Sequence, residues 1–151
     1  MAVRGISHVA IGVTDMERSL TFYRDVVGLR VRADQTKALP SEGARLARRR
    51  RAVYLCFSEG PDESFIVLDR QLTVAPYGES ARLFQVGVHH FAFWVDDLDA
   101  AVERARAAGF EIAFEPMNAD SQTLGEPAGG EIRSTLISDP DGNFVQLDQR
   151  L

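Results

Sequence analysis

The feature that most constrains this chain is an internal repeat. Residues 8–15 align with residues 90–97, and both segments carry histidine, alanine, valine and aspartate at the same positions. Residues 61–69 align in the same way with residues 140–148, near the far end of each half. A repeat on this scale indicates that the chain consists of two copies of one supersecondary unit.

Each copy opens with a period-two alternation, which predicts a β-strand. In the first copy His8 lies on one face of the predicted strand and Ile11 on the other, and the second copy separates His90 from Phe93 in the same way. The two histidines therefore occupy equivalent faces of equivalent strands.

A helical pattern follows the first strand of each copy. Thr14 with Glu17 three residues later forms a capping box, and Asp96 with Asp99 is a weaker version of it. Each predicted helix carries an apolar stripe that can pack on a sheet. Each is followed by a glycine suited to the left-handed position just past a helix end, namely Gly28 and Gly109.

Three strands are predicted after each helix, so that the order of elements is β-α-β-β-β, twice. The predicted strands are residues 29–33, 51–58 and 64–70 in the first copy and residues 110–114, 131–138 and 143–149 in the second. The polar segments between them, residues 34–50 and 115–130, are predicted as long connections of the kind that form lids or binding loops.

Charge and composition restrict the partners. The chain has 22 Asp and Glu against 17 Lys and Arg, so its acidic surface repels phosphate backbones and nucleic acid is not an expected partner. Its apolar runs have the length of strands, and residues 1–5 lack the apolar segment of a signal peptide, so no membrane partner is expected. The single cysteine, Cys56, lies in an apolar strand and cannot form an internal disulfide, which predicts a buried thiol and a reducing cytoplasm.

The paired repeat, the histidine on each first strand and the ending at residues 139–147 resemble the vicinal oxygen chelate superfamily, which includes glyoxalase I, extradiol dioxygenases and bleomycin-type resistance proteins. The resemblance implies an α+β fold in which two βαβββ modules curl their mixed sheets around a cup, with the helices outside. The modules are residues 1–70 and 86–151, joined by a linker at 71–85 into one compact domain. Members of the superfamily often form pairs, so a homodimer is expected.

The resemblance also implies a divalent metal ion held by the first and last strands, with open positions for a chelating substrate. Carried over to this chain, the metal positions are His8, His90 and Gln146, and the candidate ions are Fe(II), Zn, Mn and Ni. Most glyoxalases and extradiol dioxygenases have glutamate where Gln146 stands, and Val67, at the equivalent position of the first module, cannot bind a metal. Because a carboxylate adds charge that an amide lacks, Gln146→Glu is expected to tighten metal binding. His89 lies on the opposite strand face and is interpreted as a structural or surface residue.

Aromatic residues share the strand faces of these candidate ligands. Phe65 alternates with Val67, Phe144 with Gln146, and Trp94 with His90. If these faces line the cup, the residues that contact substrate are Trp94, Phe65, Val67 and Phe144, and the ligand is flat or apolar. Ordinary core packing is an equal alternative for the two phenylalanines.

Arg45 and residues 48–51 form the one basic run of the chain. The run is predicted to be a solvated loop and strand edge. The alternative is that one arginine reaches over the mouth of the cup and holds an anionic group of the substrate.

Two function classes remain open. The first is a metal-dependent enzyme of the glyoxalase or extradiol dioxygenase type, a dioxygenase or a lyase or isomerase, acting on a small aromatic or vicinal-oxygen substrate. The alternative is a metal-free protein of the bleomycin-resistance type that binds an antibiotic or a metabolite. The two histidines favour the enzyme, whereas Gln146 and Val67 favour the binding protein.

Overall fold

The computed structural model describes residues 2–3, 5–39, 48–60 and 63–151. The chain divides into two compact units, Met1–Gly78 and Glu79–Leu151. Each unit contains one four-stranded mixed sheet with the element order β-α-β-β-β. The α+β fold class predicted from the repeat is therefore confirmed. No helix among the described residues is long and apolar enough to cross a membrane.

The first unit contains β1 (His8–Gly12), α1 (Met16–Leu20), β2 (Arg30–Leu39), β3 (Arg48–Cys56) and β4 (Phe65–Gln71). The α-helix continues directly into a stretch of π-helix over Thr21–Val26. The four strands lie in the spatial order β1-β4-β3-β2. Strands β1 and β4 are parallel, and the other two pairs are antiparallel.

The second unit repeats this arrangement with β5 (His90–Trp94), α2 (Leu98–Ala107), β6 (Ile112–Asp120), β7 (Glu131–Ser138) and β8 (Phe144–Arg150). A short 3-10 helix over Ser121–Leu124 follows β6. The four strands lie in the spatial order β5-β8-β7-β6. Strands β5 and β8 are parallel, and the remaining pairs are antiparallel.

Each helix packs on one face of its own sheet. In the first unit Arg51 projects from the face that carries the fully buried Val53, and it forms an ion pair with Glu17 of α1. In the second unit the side chain of Gln149 accepts a hydrogen bond from the backbone N–H of Leu98 at the start of α2. The alternate residues of each sheet form its other face. This second face carries His8 or His90 and is called the histidine face below.

The histidine face of each first strand is exposed, and the opposite face is the more buried one. His8 and Ala10 are exposed whereas Ile11 is buried, and in β5 the exposed residues are His90, Ala92 and Trp94. The histidines therefore lie outside the cores that the helices cover.

The connections predicted at residues 34–50 and 115–130 are too long in both units. Strand β2 continues to Leu39, β3 begins at Arg48, and β6 continues to Asp120, so much of residues 34–50 and 115–130 forms paired strands. The extensions are polar, and in the first unit an ion pair from Asp34 on β2 to β3 stabilises them. Residues 40–47 lie outside the described part of the chain.

The helix caps lie one residue later than the sequence predicts. Asp15 caps α1 and accepts hydrogen bonds from two backbone N–H groups at 3.0 and 3.1 Å. Asp97 caps α2 and accepts one at 2.9 Å. The predicted caps, Thr14 and Asp96, each precede an aspartate, and aspartate is among the most favoured capping residues. Both glycines predicted just past the helices adopt the left-handed conformation: Gly28 (φ +97°) and Gly109 (φ +72°).

Candidate functional site

Three of the predicted site residues lie together on the histidine face of the first sheet. His8 and Phe65 are register partners on the parallel strands β1 and β4, and their rings stack with 5.1 Å between centroids and 16° between planes. Val67 follows on the same face of β4, beside Ala10, and is buried. An apolar and aromatic surface therefore lies directly against the first candidate ligand.

Two further residues of this surface were missed by the sequence analysis. Tyr54 pairs with Val67 across the antiparallel strands β3 and β4, and its ring lies 6.0 Å from that of Phe65. The guanidinium of Arg32 lies 5.5 Å from the centre of the Phe65 ring, within the range of a cation–π contact. The tyrosine could have been found, because period-two alternation through β3 places it on this face.

The basic run is part of a sheet. Arg50 and Arg51 lie in β3, an internal strand, and their side chains are only 27% and 26% exposed, so a solvated edge is the wrong description for these two. Arg51 binds Glu17 at 2.5 Å and Asp34 at 2.7 Å on the helix face. The hydrogen bond from Arg51 lowers the pKa of the Asp34 carboxyl below its ordinary value. Arg45 lies outside the described residues.

Arg50 lies on the histidine face, where it forms an ion pair with Asp69. Within the described part of the chain, the other carboxylate oxygen of Asp69 is buried and has no hydrogen-bond partner, and the same holds for the side-chain carbonyl oxygens of Gln35 and Gln71. Buried acceptors of this kind are uncommon. The charge of Arg50 is thus already balanced by a carboxylate of the same unit.

The second sheet places four predicted site residues on its histidine face. His90 and Phe144 are register partners on the parallel strands β5 and β8, and Gln146 pairs with Ala92 one step further along the same face. Gln146 is therefore the diagonal neighbour of His90, within reach of long side chains. Nδ1 of His90 lies 2.8 Å from Nδ1 of His89.

The side chain of Gln146 is oriented by a residue that the sequence analysis did not select. Its amide nitrogen donates to both carboxylate oxygens of Asp148, at 2.9 and 3.0 Å, and the hydroxyl of Ser134 donates to the same carboxylate at 2.5 Å. Asp148 is only 3% exposed. The repeat contained a signal for this residue, because Asp69 stands at the equivalent position of the first unit.

Trp94 lies at the end of β5 and is 54% exposed. The guanidinium of Arg150 lies 4.3 Å from the centre of its ring, and Arg150 also binds Glu126 at 2.6 Å. A shallow pocket of about 390 Å³ adjoins the pair and is also lined by Val95, Asp96 and Gln149. Trp94 is thus available to a ligand from solvent.

Comparison with known proteins decides the family. The model of the Glyoxalase/Bleomycin resistance protein/Dioxygenase superfamily matches residues 5–147. The chain belongs to this superfamily. A lactoylglutathione lyase of Arabidopsis thaliana is 30% identical over 97% of the chain, and the chain spans 44% of its length. A lactoylglutathione lyase of Haemophilus influenzae is 29% identical over 94% of the chain and 90% of its own length.

Solved structures support the same fold. A glyoxalase family protein of Bacillus cereus superposes with a TM-score of 0.74 at 19% identity, covering 100% of this chain and 97% of that one. Glyoxalase I of Leishmania major superposes with a TM-score of 0.64 at 21% identity, covering 96% of this chain and 86% of that one. Within this glyoxalase superfamily the two βαβββ units of the chain are thus the expected architecture.

The candidate ligands of this superfamily member, two imidazoles and one amide oxygen, have donor atoms that suit a divalent ion. Both histidines are exposed, and the contact with Asp148 leaves the carbonyl oxygen of Gln146 free of that carboxylate. Imidazole nitrogens bind first-row divalent ions, and oxygen donors complete such sites. His8 belongs to the first unit, and His90 and Gln146 belong to the second. Among the described residues no three His, Cys, Asp or Glu side chains form a metal cluster.

Proposed function

We propose that this protein is a metal-dependent enzyme of the glyoxalase and dioxygenase type that acts on a small substrate with two vicinal oxygens. The observation that carries the proposal is the exposed imidazole at the same repeat position of each sheet, His8 and His90, outside the core that each helix covers. The relatives named lactoylglutathione lyase support an enzyme of this superfamily at the coarse level.

In this proposal His8, His90 and Gln146 bind one divalent ion, with Fe(II), Zn, Mn and Ni as the candidates. When bound, the ion supplies Lewis acidity and a template that orients the two oxygens of the substrate. The residues fit an ion that accepts two neutral nitrogen donors and one neutral oxygen donor.

The residues around His8 favour a compact aromatic or hydroxy-keto substrate. Phe65, Tyr54 and Val67 supply an apolar wall against the imidazole. Ala10 and Gly12 are small and exposed on the same strand face, which leaves space beside the wall. A sugar or nucleotide would leave several polar groups unpaired against this wall, at about 1–3 kcal/mol each.

Val67 and Gln146 limit the proton chemistry of the proposed site. Valine has no group that takes up a proton, and an amide is not a base near neutral pH. Neither position can therefore move a proton to or from the substrate. Of the two enzyme types, this favours the extradiol dioxygenase reaction. A reaction that needs a carboxylate base at both positions is disfavoured.

The direct test is metal binding by the freshly purified chain with dioxygen excluded. We expect one divalent ion per chain by elemental analysis, and its loss in His8→Ala and His90→Ala. His89→Asn is the matched control, because it changes the third histidine and keeps a polar group beside Nδ1 of His90. Activity is then measured as breakdown of lactoylglutathione and as dioxygen uptake with a catechol.

Two results would contradict the proposal. One is a wild-type chain that binds no divalent ion after titration with each of the four candidates. The other is saturable binding of an aromatic compound that persists unchanged in chelator and in both histidine variants, which would identify a metal-free binding protein.

A further inference from the structure

The carboxylate of Asp148 is in direct contact with a candidate metal ligand, Gln146. It is 3% exposed, and its two oxygens take hydrogen bonds from the hydroxyl of Ser134 and the amide of Gln146. Its repeat counterpart, Asp69, instead forms an ion pair with Arg50. The two units thus have an aspartate at the same repeat position, but the aspartate has different partners and is buried only in the second unit.

These contacts determine which end of the Gln146 amide faces outward. An ionised carboxylate only accepts hydrogen bonds, so the donating NH2 group must face Asp148. With the amide turned over, its carbonyl oxygen would lie about 3 Å from two further acceptor oxygens, and the hydrogen bonds would be lost. The carbonyl oxygen therefore points away from Asp148 in the stable orientation.

We propose that Asp148 is a positioning residue that fixes the Gln146 amide with its oxygen outward, so that position 146 presents an acceptor and never a donor. The role of that oxygen as a ligand rests on the proposed function, whereas the orientation itself does not. Asp148 also supplies the negative charge that the amide lacks. That charge lies beside the NH2 group of Gln146 and not on the oxygen that would bind the ion.

The pair changes the expected effect of Gln146→Glu. A glutamate at this position would stand beside the buried carboxylate of Asp148 with no N–H group between them, and two such carboxylates repel each other. The single substitution is therefore expected to lower the stability of the fold and not to tighten metal binding. The double variant Gln146→Glu/Asp148→Asn reverses the polarity of the hydrogen bond, restores the charge balance and is the variant that should tighten metal binding.

The orientation is tested by NMR on the uniformly ¹⁵N-labelled chain without metal. The side-chain NH2 signals of Gln146 are those that disappear in Gln146→Glu. We expect them to shift downfield and exchange slowly in the wild type, and to move towards free-glutamine values in Asp148→Asn, because a neutral acceptor binds the amide more weakly. Asp69→Asn, at the equivalent position of the first unit, should leave them unchanged. NH2 signals that do not respond to Asp148→Asn would overturn the proposal.

The charge swap provides a second, independent readout. Thermal unfolding should show a lower Tm for Gln146→Glu than for Asp148→Asn, and recovery of most of that loss in the double variant. Strong non-additivity of this kind is the signature of a direct pair. A double variant no more stable than Gln146→Glu would show that the two side chains do not act as a pair.

Metal affinity separates this inference from the proposed function. With Ni²⁺ as the probe in calorimetry, we expect Asp148→Asn to weaken binding about 10- to 100-fold, the usual effect of removing a residue that orients a ligand. Unchanged Ni²⁺ affinity in Asp148→Asn would overturn the positioning role and leave the metal site standing. A wild type that binds no Ni²⁺ or other candidate ion would overturn the proposed function, while the NMR and unfolding results would still decide the orientation of the amide.

Discussion

Asp34 shows how a single residue of a polar strand contributes to this fold. Its carboxylate receives hydrogen bonds from Arg51 at 2.7 to 3.2 Å across β2 and β3, and this lowers its pKa from the ordinary value of 3.8. A lowered pKa in the folded state means that the unfolded chain binds the proton more readily. The resulting stability is present above the unfolded pKa and is lost as the pH falls through the folded one.

We therefore predict that Asp34→Asn reduces stability at pH 7 by at most about 1 kcal/mol, since both partners are partly solvated. The difference from the wild type should shrink as the pH falls below about 4, because the unfolded chain takes up a proton at Asp34 there and the folded chain does so only at lower pH. Urea unfolding between pH 2.5 and 7 measures both effects. Asp96→Asn removes the same charge from an exposed position and serves as the control. A loss that stays constant across this range would contradict the assigned role.

At the same scale, sequence reasoning found the faces of residues but not their partners. The alternation correctly separated His8 from Ile11, because a strand fixes the side of each residue. It could not show that Asp148 binds the amide of Gln146, or that Tyr54 contacts Phe65, because these contacts depend on register and rotamers that a single sequence does not display.

At the scale of the elements, the clearest difference between prediction and structure is the position of the helix caps. The side chain of Asp97 accepts a hydrogen bond from the backbone N–H of Ala100 at the first turn of α2. Asp97→Ala should therefore lower stability by about 0.5–2 kcal/mol, whereas Asp96→Ala should have little effect. Chemical unfolding of the two variants compares them directly. Equal losses would show that the cap is not confined to Asp97.

The existence of the elements followed from the sequence, but their ends did not. The repeat and the period-two pattern predicted every strand, since each carries an apolar face over the core. The ends of β2 and β6 are polar, and cross-strand pairing extends them to Leu39 and Asp120. A polar segment held by its neighbour looks like a loop in the local sequence, so this error is expected wherever tertiary pairing overrides composition.

At the scale of the whole molecule, the edges of the sheets bear on assembly. Among the residues that the structure describes, each four-stranded sheet ends in two strands that pair on one side only, β1 and β2 in the first unit and β5 and β6 in the second. Exposed edges favour pairing with another chain unless they are blocked. We predict a symmetric homodimer, with a solution mass twice the 16.7 kDa of the chain. Light scattering that gives the monomer mass at every concentration would refute it.

The nature of the ligand is tested through Trp94, the only tryptophan of the chain. It is 54% exposed on the histidine face of the second sheet, with Arg150 against its ring, so a ligand that reaches this face should change its emission. We predict saturable quenching by a catechol-like or hydroxy-keto compound, because a flat apolar ring can stack on the indole while its oxygens reach the proposed ion.

The dependence of that quenching on metal discriminates between the two function classes. For the proposed enzyme, quenching should require the ion, disappear in chelator and return when the ion is added back. His90→Ala should abolish the metal-dependent part, whereas Arg150→Gln should alter the starting emission of Trp94 and leave the metal requirement intact, because Arg150 contacts the indole and not the candidate ligands. Quenching by polar sugars with none by any aromatic compound would overturn the ligand class.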